Sequence, residues 1–195
     1  MAVTKSKDSV FDMIKLGLIL VCYAVASCAV LAVVNNFTSA KITQNKIQKA
    51  NEAMKVVYAD ADEYVSVTDF TPSEDPTISI SDVYMVMKNG AVAGGIAQVA
   101  GPTYDKAKII LGITTDGKIT GMRFLELTDS PGFGLKANDP SFYDQFAGKS
   151  AKTPFVAGET YDAISGATIT SNGVVKLISE GSNSLLKYFG EHHYE

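Results

Sequence analysis

The sequence predicts an α+β fold: a single N-terminal transmembrane helix followed by a domain with a mainly antiparallel sheet and flanking helices. Three observations predict it: an uncharged apolar run at Leu16–Val34, two turn pairs, Asn89-Gly90 and Asp116-Gly117, each between β-rich segments, and an amphipathic helical pattern at Ser171–Phe189. A chain of 195 residues accommodates one core-burying domain plus an appendage, but not two full domains. With 46% hydrophobic and 19% charged residues, the composition is that of a globular protein and excludes disorder or low complexity. The net charge of −4 and the lack of any Lys/Arg-rich run exclude nucleic acid as a partner.

The run from Leu16 to Val34, LGLILVCYAVASCAVLAVV, is about nineteen residues long, enough to cross a bilayer core as a helix. A secretory signal peptide would share Lys5 and Lys7 but has a shorter apolar region, about 7–15 residues. Val25-Ala26-Ser27-Cys28 also resembles a lipoprotein cleavage box, yet cutting there would leave the apolar Ala29–Val34 at the new terminus, so the span is read as retained from Met1 onward. Lys5, Lys7 and Lys15 before the span are balanced by Lys41, Lys46 and Lys49 after it, and charge leaves the orientation undecided. Cys22 and Cys28 fall on different faces of that helix, either as lipid-facing or packed thiols or as ligands to a centre shared with a partner subunit. No cysteine occurs beyond the span, so the remaining chain uses neither disulfide nor thiolate chemistry.

From Asn35 to about Tyr58 a helical rhythm continues, with Ile42, Ile47, Ala50, Met54 and Val57 near one stripe, and predicts a stalk. DFTPSEDPTIS then breaks the pattern with Pro72 and Pro76. VYMVMKNGAVAGGIAQVAG reads as a hairpin closed at Asn89-Gly90, and Ile109–Thr114 with Ile119–Leu125 as a second closed at Asp116-Gly117. TDSPGFG, Thr128 to Gly134, is a shaped loop, and NDPSFYDQFAGK holds a short helix begun by Asp139 or Ser141. The final helix, from about Ser171 to Phe189, puts Val174, Leu177, Ile178, Leu185 and Phe189 on one face to dock on the sheet. His192 and His193 read as disordered tail.

YDAISGATITSNGVV, leading into that helix, gathers Thr168, Thr170 and Ser171 beside a Ser165-Gly166-Ala167 turn. One reading has Thr170 or Ser171 capping the helix and Gly166 turning the chain. The other has the loop holding an anion at the helix N-terminus, where free N–H groups and the macrodipole favour negative charge. It is neither a Walker loop nor a dinucleotide-binding glycine pattern.

Asp162-Ala163-Ile164-Ser165-Gly166-Ala167-Thr168 resembles the flavinylation motif of the FMN-binding domain found in RnfG and NqrC subunits. TDSPGFG is similar to that family's Glu-Thr-Pro-Gly-Leu-Gly loop, and FYDQFAGK to its Phe-x-x-Gln-Phe segment. Asp129 and Ser130 replace the Glu and Thr, Phe133 the Leu, and Leu127 stands where a His is common. The resemblance implies FMN joined covalently to Thr168 by a phosphoester bond made by a separate flavin transferase from FAD with a divalent metal. Asp162 then either positions the loop for the transferase or caps a turn. Ser165, Gly166 and Ala167 would then let the loop approach the phosphate, Pro131, Gly132, Phe133 and Gly134 would lie against the isoalloxazine, with Phe133 either contacting the ring or packing in the core, and Asp129, Ser130 and Thr170 complete the expected cofactor-binding set.

By the same resemblance the segments are residues 1–15, a transmembrane helix 16–34, a stalk 35–58 and an extracytoplasmic FMN-binding domain 59–195. The protein is expected to be a single-pass cell-membrane subunit of an Rnf-type complex that couples ferredoxin:NAD electron transfer to Na⁺ or H⁺ translocation. Its partners are the other subunits, the transferase and the lipid bilayer. It relays electrons and is not catalytic alone, and neither a nucleophile–base pair nor a metal-ligand cluster is evident. The alternatives are an NqrC-like subunit of a Na⁺-translocating NADH:quinone oxidoreductase, whose chains tend to be longer, and a non-redox binding or adaptor protein.

Overall fold

The computed structural model describes residues 5–194, so residues 1–4 of the expected N-terminal segment lie outside it. The chain divides at Ile47/Gln48 into two units. The first is helical: α1 runs unbroken over Lys5–Val57, and its N-terminal part contains a stretch long and apolar enough to cross a membrane. Cys22 and Cys28 are exposed along it, and Ser27 and Thr43 donate back to the carbonyls four residues earlier, as hydroxyls do within helices.

The second unit begins with the last turns of α1 and is built on a five-stranded antiparallel sheet: β1 (Glu63–Val67), β2 (Ser79–Lys88), β3 (Ala91–Pro102), β4 (Lys106–Thr114) and β5 (Ile119–Leu127). The strands lie in sequence order, with tight turns joining β2 through β5 and the longer 68–78 segment joining β1 to β2. Lys88 pairs with Ala91, leaving Asn89 and Gly90 as a two-residue turn with φ of 51° and 78°. Positive φ at both positions is what a type I′ hairpin demands, and it fixes the β2–β3 register. β1 carries no clear sequence signal because EYVSV is short, half-exposed and at the sheet edge, with no turn pair to mark it.

Alternation along the central strands creates two buried faces. On β4, Ile109, Leu111 and Ile113 join the core beneath α3 (Thr168–Glu191), where Val174, Leu177, Ile178, Leu185 and Phe189 are all buried. Ile110 faces the other way, with Ile96 and Val86, against Met54, Val57 and Tyr58 at and just beyond the end of α1. Val57 is 2% exposed and Tyr58 7%, so the stripe that reads as a stalk completes a core at its lower end, while Ile42 and Ile47 are exposed. The Tyr58 hydroxyl donates to the Ala93 carbonyl at 2.9 Å.

Small residues permit this second docking. A Cβ on Gly112 would stand 2.5 Å from Thr120 Oγ1 and 2.7 Å from Val57 Cγ1, and one on Gly94 would stand 2.8 Å from the Tyr58 ring. After β5 come a 3₁₀ turn at Gly134–Asn138, the short helix α2 (Pro140–Tyr143) and a second 3₁₀ turn at Asp144–Phe146. Asp139 takes the N-cap position of α2 without a side-chain capping bond, since Pro140 already sets the first helical φ. At the C-terminus His192 is not loose tail: its ring stacks on Tyr188 at 4.1 Å, and Tyr194 lies beyond it.

Gly112→Val should destabilise the domain by about 1–3 kcal/mol through overpacking against Val57. Gly121→Ala, whose nearest atoms lie at 3.6 Å, should cost within about 0.5 kcal/mol. Urea unfolding of the two variants measures the difference.

Candidate functional site

The site forms where the β3–β4 turn, the loop after β5 and the start of α3 converge on a cleft of about 500 Å³. That volume lies within the range of small-molecule and cofactor sites. Tyr104 comes from the β3–β4 turn, Ser130, Phe133 and Gly134 from the loop, and Gly166 through Thr170 from the helix entry. Tyr104, Phe133 and Ile169 are 65%, 58% and 62% exposed, so three large apolar side chains present their surfaces to the opening.

The α3 entry differs from the capped start that the hydroxyl-rich sequence suggests. The helix begins at Thr168, three residues before Ser171, and its N-cap is Ala167, which has no side chain to bond the first-turn N–H groups. Ser171 cannot cap because its hydroxyl donates back to the Ala167 carbonyl at 3.0 Å and accepts the Ile164 N–H at 2.9 Å. Those bonds buckle residues 164–167 into a tight turn, closed by Ala167 N–H on the Ile164 carbonyl at 2.9 Å. Gly166 takes φ of 77°, where a side chain would be strained and its Cβ would press on the Phe133 ring at 3.2 Å.

Thr170 cannot cap either. Its hydroxyl is buried and donates to Asp129 Oδ2 at 2.5 Å. Asp129, 3% exposed, also accepts Thr103 Oγ1–H at 2.6 Å, the Asp105 N–H at 2.9 Å and the Tyr104 N–H at 3.4 Å. Burial alone would raise its pKa, but the bonds from Thr103, Thr170, Asp105 and Tyr104 outweigh it and hold the carboxyl below the ordinary aspartate value. Gly134 lets the loop close over this acid, for a Cβ there would lie 2.6 Å from Asp129 Cβ and 2.8 Å from Thr170 Oγ1.

Of the expected site residues, Thr168, Gly166, Ala167, Thr170, Ser130, Phe133 and Gly134 line the cleft. Phe133 is exposed at its edge and is no core residue. Asp129 lies behind the wall, while Ser165, Pro131, Gly132 and Asp162 are outside the lining. Sequence reasoning passes over Tyr104 and Ile169. Their signals are an aromatic in a hairpin turn and an apolar residue off the buried stripe of α3.

The Thr168 hydroxyl therefore sits at the uncapped N-terminus of a 24-residue helix with no acidic residue in its first turn. A phosphate suits that position. Exposed aromatic and aliphatic surface next to it suits a flat ring system. The residues present thus fit a flavin mononucleotide. Among the described residues, no cluster of three or more His, Cys, Asp or Glu is placed to hold a metal.

The fold and cleft define the class, and residues 103–182 match the FMN-binding domain family while residues 7–57 match the RnfG N-terminal region. The chain is 34% identical to the G component of the Na⁺-translocating ferredoxin:NAD⁺ oxidoreductase complex of Acetobacterium woodii, over 90% of each. It is 27% identical to the G component of the proton-translocating ferredoxin:NAD⁺ oxidoreductase complex of Clostridium ljungdahlii, over 97% of this chain and 99% of the relative. It belongs to the RnfG family of ion-translocating oxidoreductase complexes. The crystal structure of Shewanella oneidensis NqrC superposes with a TM-score of 0.54 at 18% identity, covering 74% of this chain and 99% of that one, and so shares the fold.

Because the folded pKa of Asp129 lies below its unfolded value, its stabilisation is present above about pH 4 and is lost as pH falls through the folded value. Asp129→Asn should be less stable than the parent by about 1–3 kcal/mol at pH 7. The gap should narrow on acidification, as unfolding curves collected from pH 7 to pH 3 will measure.

Proposed function

We propose that this chain is a membrane-anchored electron relay of an Rnf-type ferredoxin:NAD oxidoreductase complex, carrying FMN in phosphoester linkage on Thr168. The observation that carries this reading is Thr168 at an uncapped helix N-terminus, lining the cleft at whose opening Tyr104, Phe133 and Ile169 stand out together. When bound, FMN supplies the electron-carrying chemistry, and the protein supplies position and electrostatics.

The chain's own residues divide the task. The N–H groups of the first turn of α3 bind the phosphate, with Gly166 at the cleft wall letting it approach closely and the macrodipole adding about half a positive charge. Phe133, Tyr104 and Ile169 hold the ring and exclude water from one side of it. Ser130 offers a polar atom at the cleft wall, Thr170 anchors the helix entry to Asp129, and Gly134 keeps the loop low. Asp129 acts behind them by fixing Thr170 and the β3–β4 turn. Asp162, exposed six positions before Thr168, is the recognition point for the flavin transferase.

In this reading the domain lies outside the cytoplasm, where a covalent link retains the cofactor, while α1 anchors it in the lipid bilayer. The other Rnf subunits donate and accept the electrons. The two relatives differ in the coupling ion their names specify, so Na⁺ and H⁺ are both compatible with this family membership.

Full-length chain co-expressed with a flavin transferase should give a flavin-fluorescent band on a denaturing gel. Thr168→Ala should abolish the band and Thr168→Ser should retain part of it, because serine keeps the hydroxyl. An equally bright Thr168→Ala band would place the linkage elsewhere.

A further inference from the structure

We propose that Gln145 is a positioning residue for flavinylation: its side-chain amide clamps the backbone at Asp162 and so presents the Asp162 carboxylate to the flavin transferase. This rests on the reading that Thr168 is the flavin acceptor. Gln145 Oε1 accepts the Asp162 N–H at 2.7 Å, and Gln145 Nε2 donates to the Asp162 carbonyl at 3.2 Å. Both backbone groups of one residue are thereby satisfied by one planar amide, the pairing a neighbouring strand would provide. Among the described residues, the Asp162 carboxylate itself takes no hydrogen bond or ion pair, and Asp162 is exposed.

Both ends of the clamp grow from the same aromatic cluster. Phe142 and Phe146 are buried and meet edge to face at 5.6 Å, which fixes the 3₁₀ turn carrying Gln145. Phe146 also packs against Tyr161 at 5.9 Å, and the Tyr161 hydroxyl donates to Asn172 Oδ1 at 2.7 Å. The residue before Asp162 is thus held to the core and to α3 independently of Gln145. The preceding loop is also closed on itself by Gly158 N–H on the Tyr161 carbonyl at 2.9 Å and by Val156 N–H on Thr160 Oγ1 at 2.6 Å. The fold is secured there without the amide, which leaves orientation of Asp162 as what the amide adds.

The reaction served is a phosphoryl transfer. Thr168 Oγ bonds to the FMN phosphorus of FAD, the pyrophosphate bond breaks, AMP leaves, and the hydroxyl proton passes to a base on the transferase. Gln145 touches none of these atoms and acts through Asp162.

The test is a double-mutant cycle on detergent-solubilised full-length chain expressed without transferase, then treated with purified transferase, FAD and Mg²⁺ while the rate of mass gain is followed. Gln145→Ala should lower the rate at limiting chain concentration about tenfold, the scale of one or two lost hydrogen bonds, with little change in melting temperature. In an Asp162→Ala background the same change should have no further effect. Gln145→Glu, which keeps the acceptor and loses the donor, should lose about threefold and serves if Gln145→Ala is unfolded. An undiminished rate in both variants, or an equal loss with and without Asp162, would overturn the proposal. An unmodified parent chain would instead sink the flavinylation reading and this inference with it.

Discussion

A buried carboxylate, Asp129, holds the site together. It accepts bonds from Thr103 and the Tyr104 and Asp105 N–H groups on one side and from Thr170 on the other, joining the β3–β4 turn to the first turn of α3. A buried charge is tolerated only when so fully bonded, and the same bonds therefore both stabilise the acid and define the cleft. Everything near it must be small or polar. Gly134 passes within a Cβ's reach of it, and Gly173 lets α3 approach Thr103, where a Cβ would lie 2.8 Å from the backbone. Tyr104 from the β3–β4 turn and Phe133 from the loop that carries Asp129 line the same cleft as Thr168.

The sheet beneath is covered on both faces, which suits a domain meant to hold a cofactor rigidly. α3 covers one face, and the last turns of α1 cover the other through Met54, Val57 and Tyr58. Lys49 reinforces that cover by donating to the Leu125 carbonyl at 2.5 Å. The 71–77 loop is strapped to α3 by Ser73 on Glu180 at 2.6 Å and Lys187 on Glu74 at 2.5 Å. These straps are largely exposed ion pairs and hydrogen bonds, whose contribution is to order the loop more than to stabilise the fold.

Much of the fold is legible because it is written in local signals. Asn89-Gly90 names its own turn type, the apolar spacing of α3 names its buried face, and Leu16–Val34 is too long and apolar for an ordinary helix. The site is legible only where neighbours in sequence are neighbours in space, as from Gly166 to Thr170. Tyr104 reaches the cleft from more than sixty positions before Thr168, a juxtaposition made by the hairpin register and Asp129, which no local pattern encodes. The start of α3 is misleading for a related reason: Thr170 and Ser171 look like caps but spend their hydroxyls on Asp129, Ala167 and Ile164. The Phe-x-x-Gln-Phe segment is recognisable as a resemblance, yet the contact of Gln145 with the Asp162 backbone is visible only in the fold.

The central claim is that Thr168 carries the flavin, and peptide mass spectrometry of the chain purified from its native membrane tests it most directly. A mass gain of one FMN less one water, confined to the tryptic peptide Thr153–Lys176 and fragmenting at Thr168, is the result predicted. An unmodified peptide from cells that possess the transferase would contradict the account and leave the cleft a site without its tether.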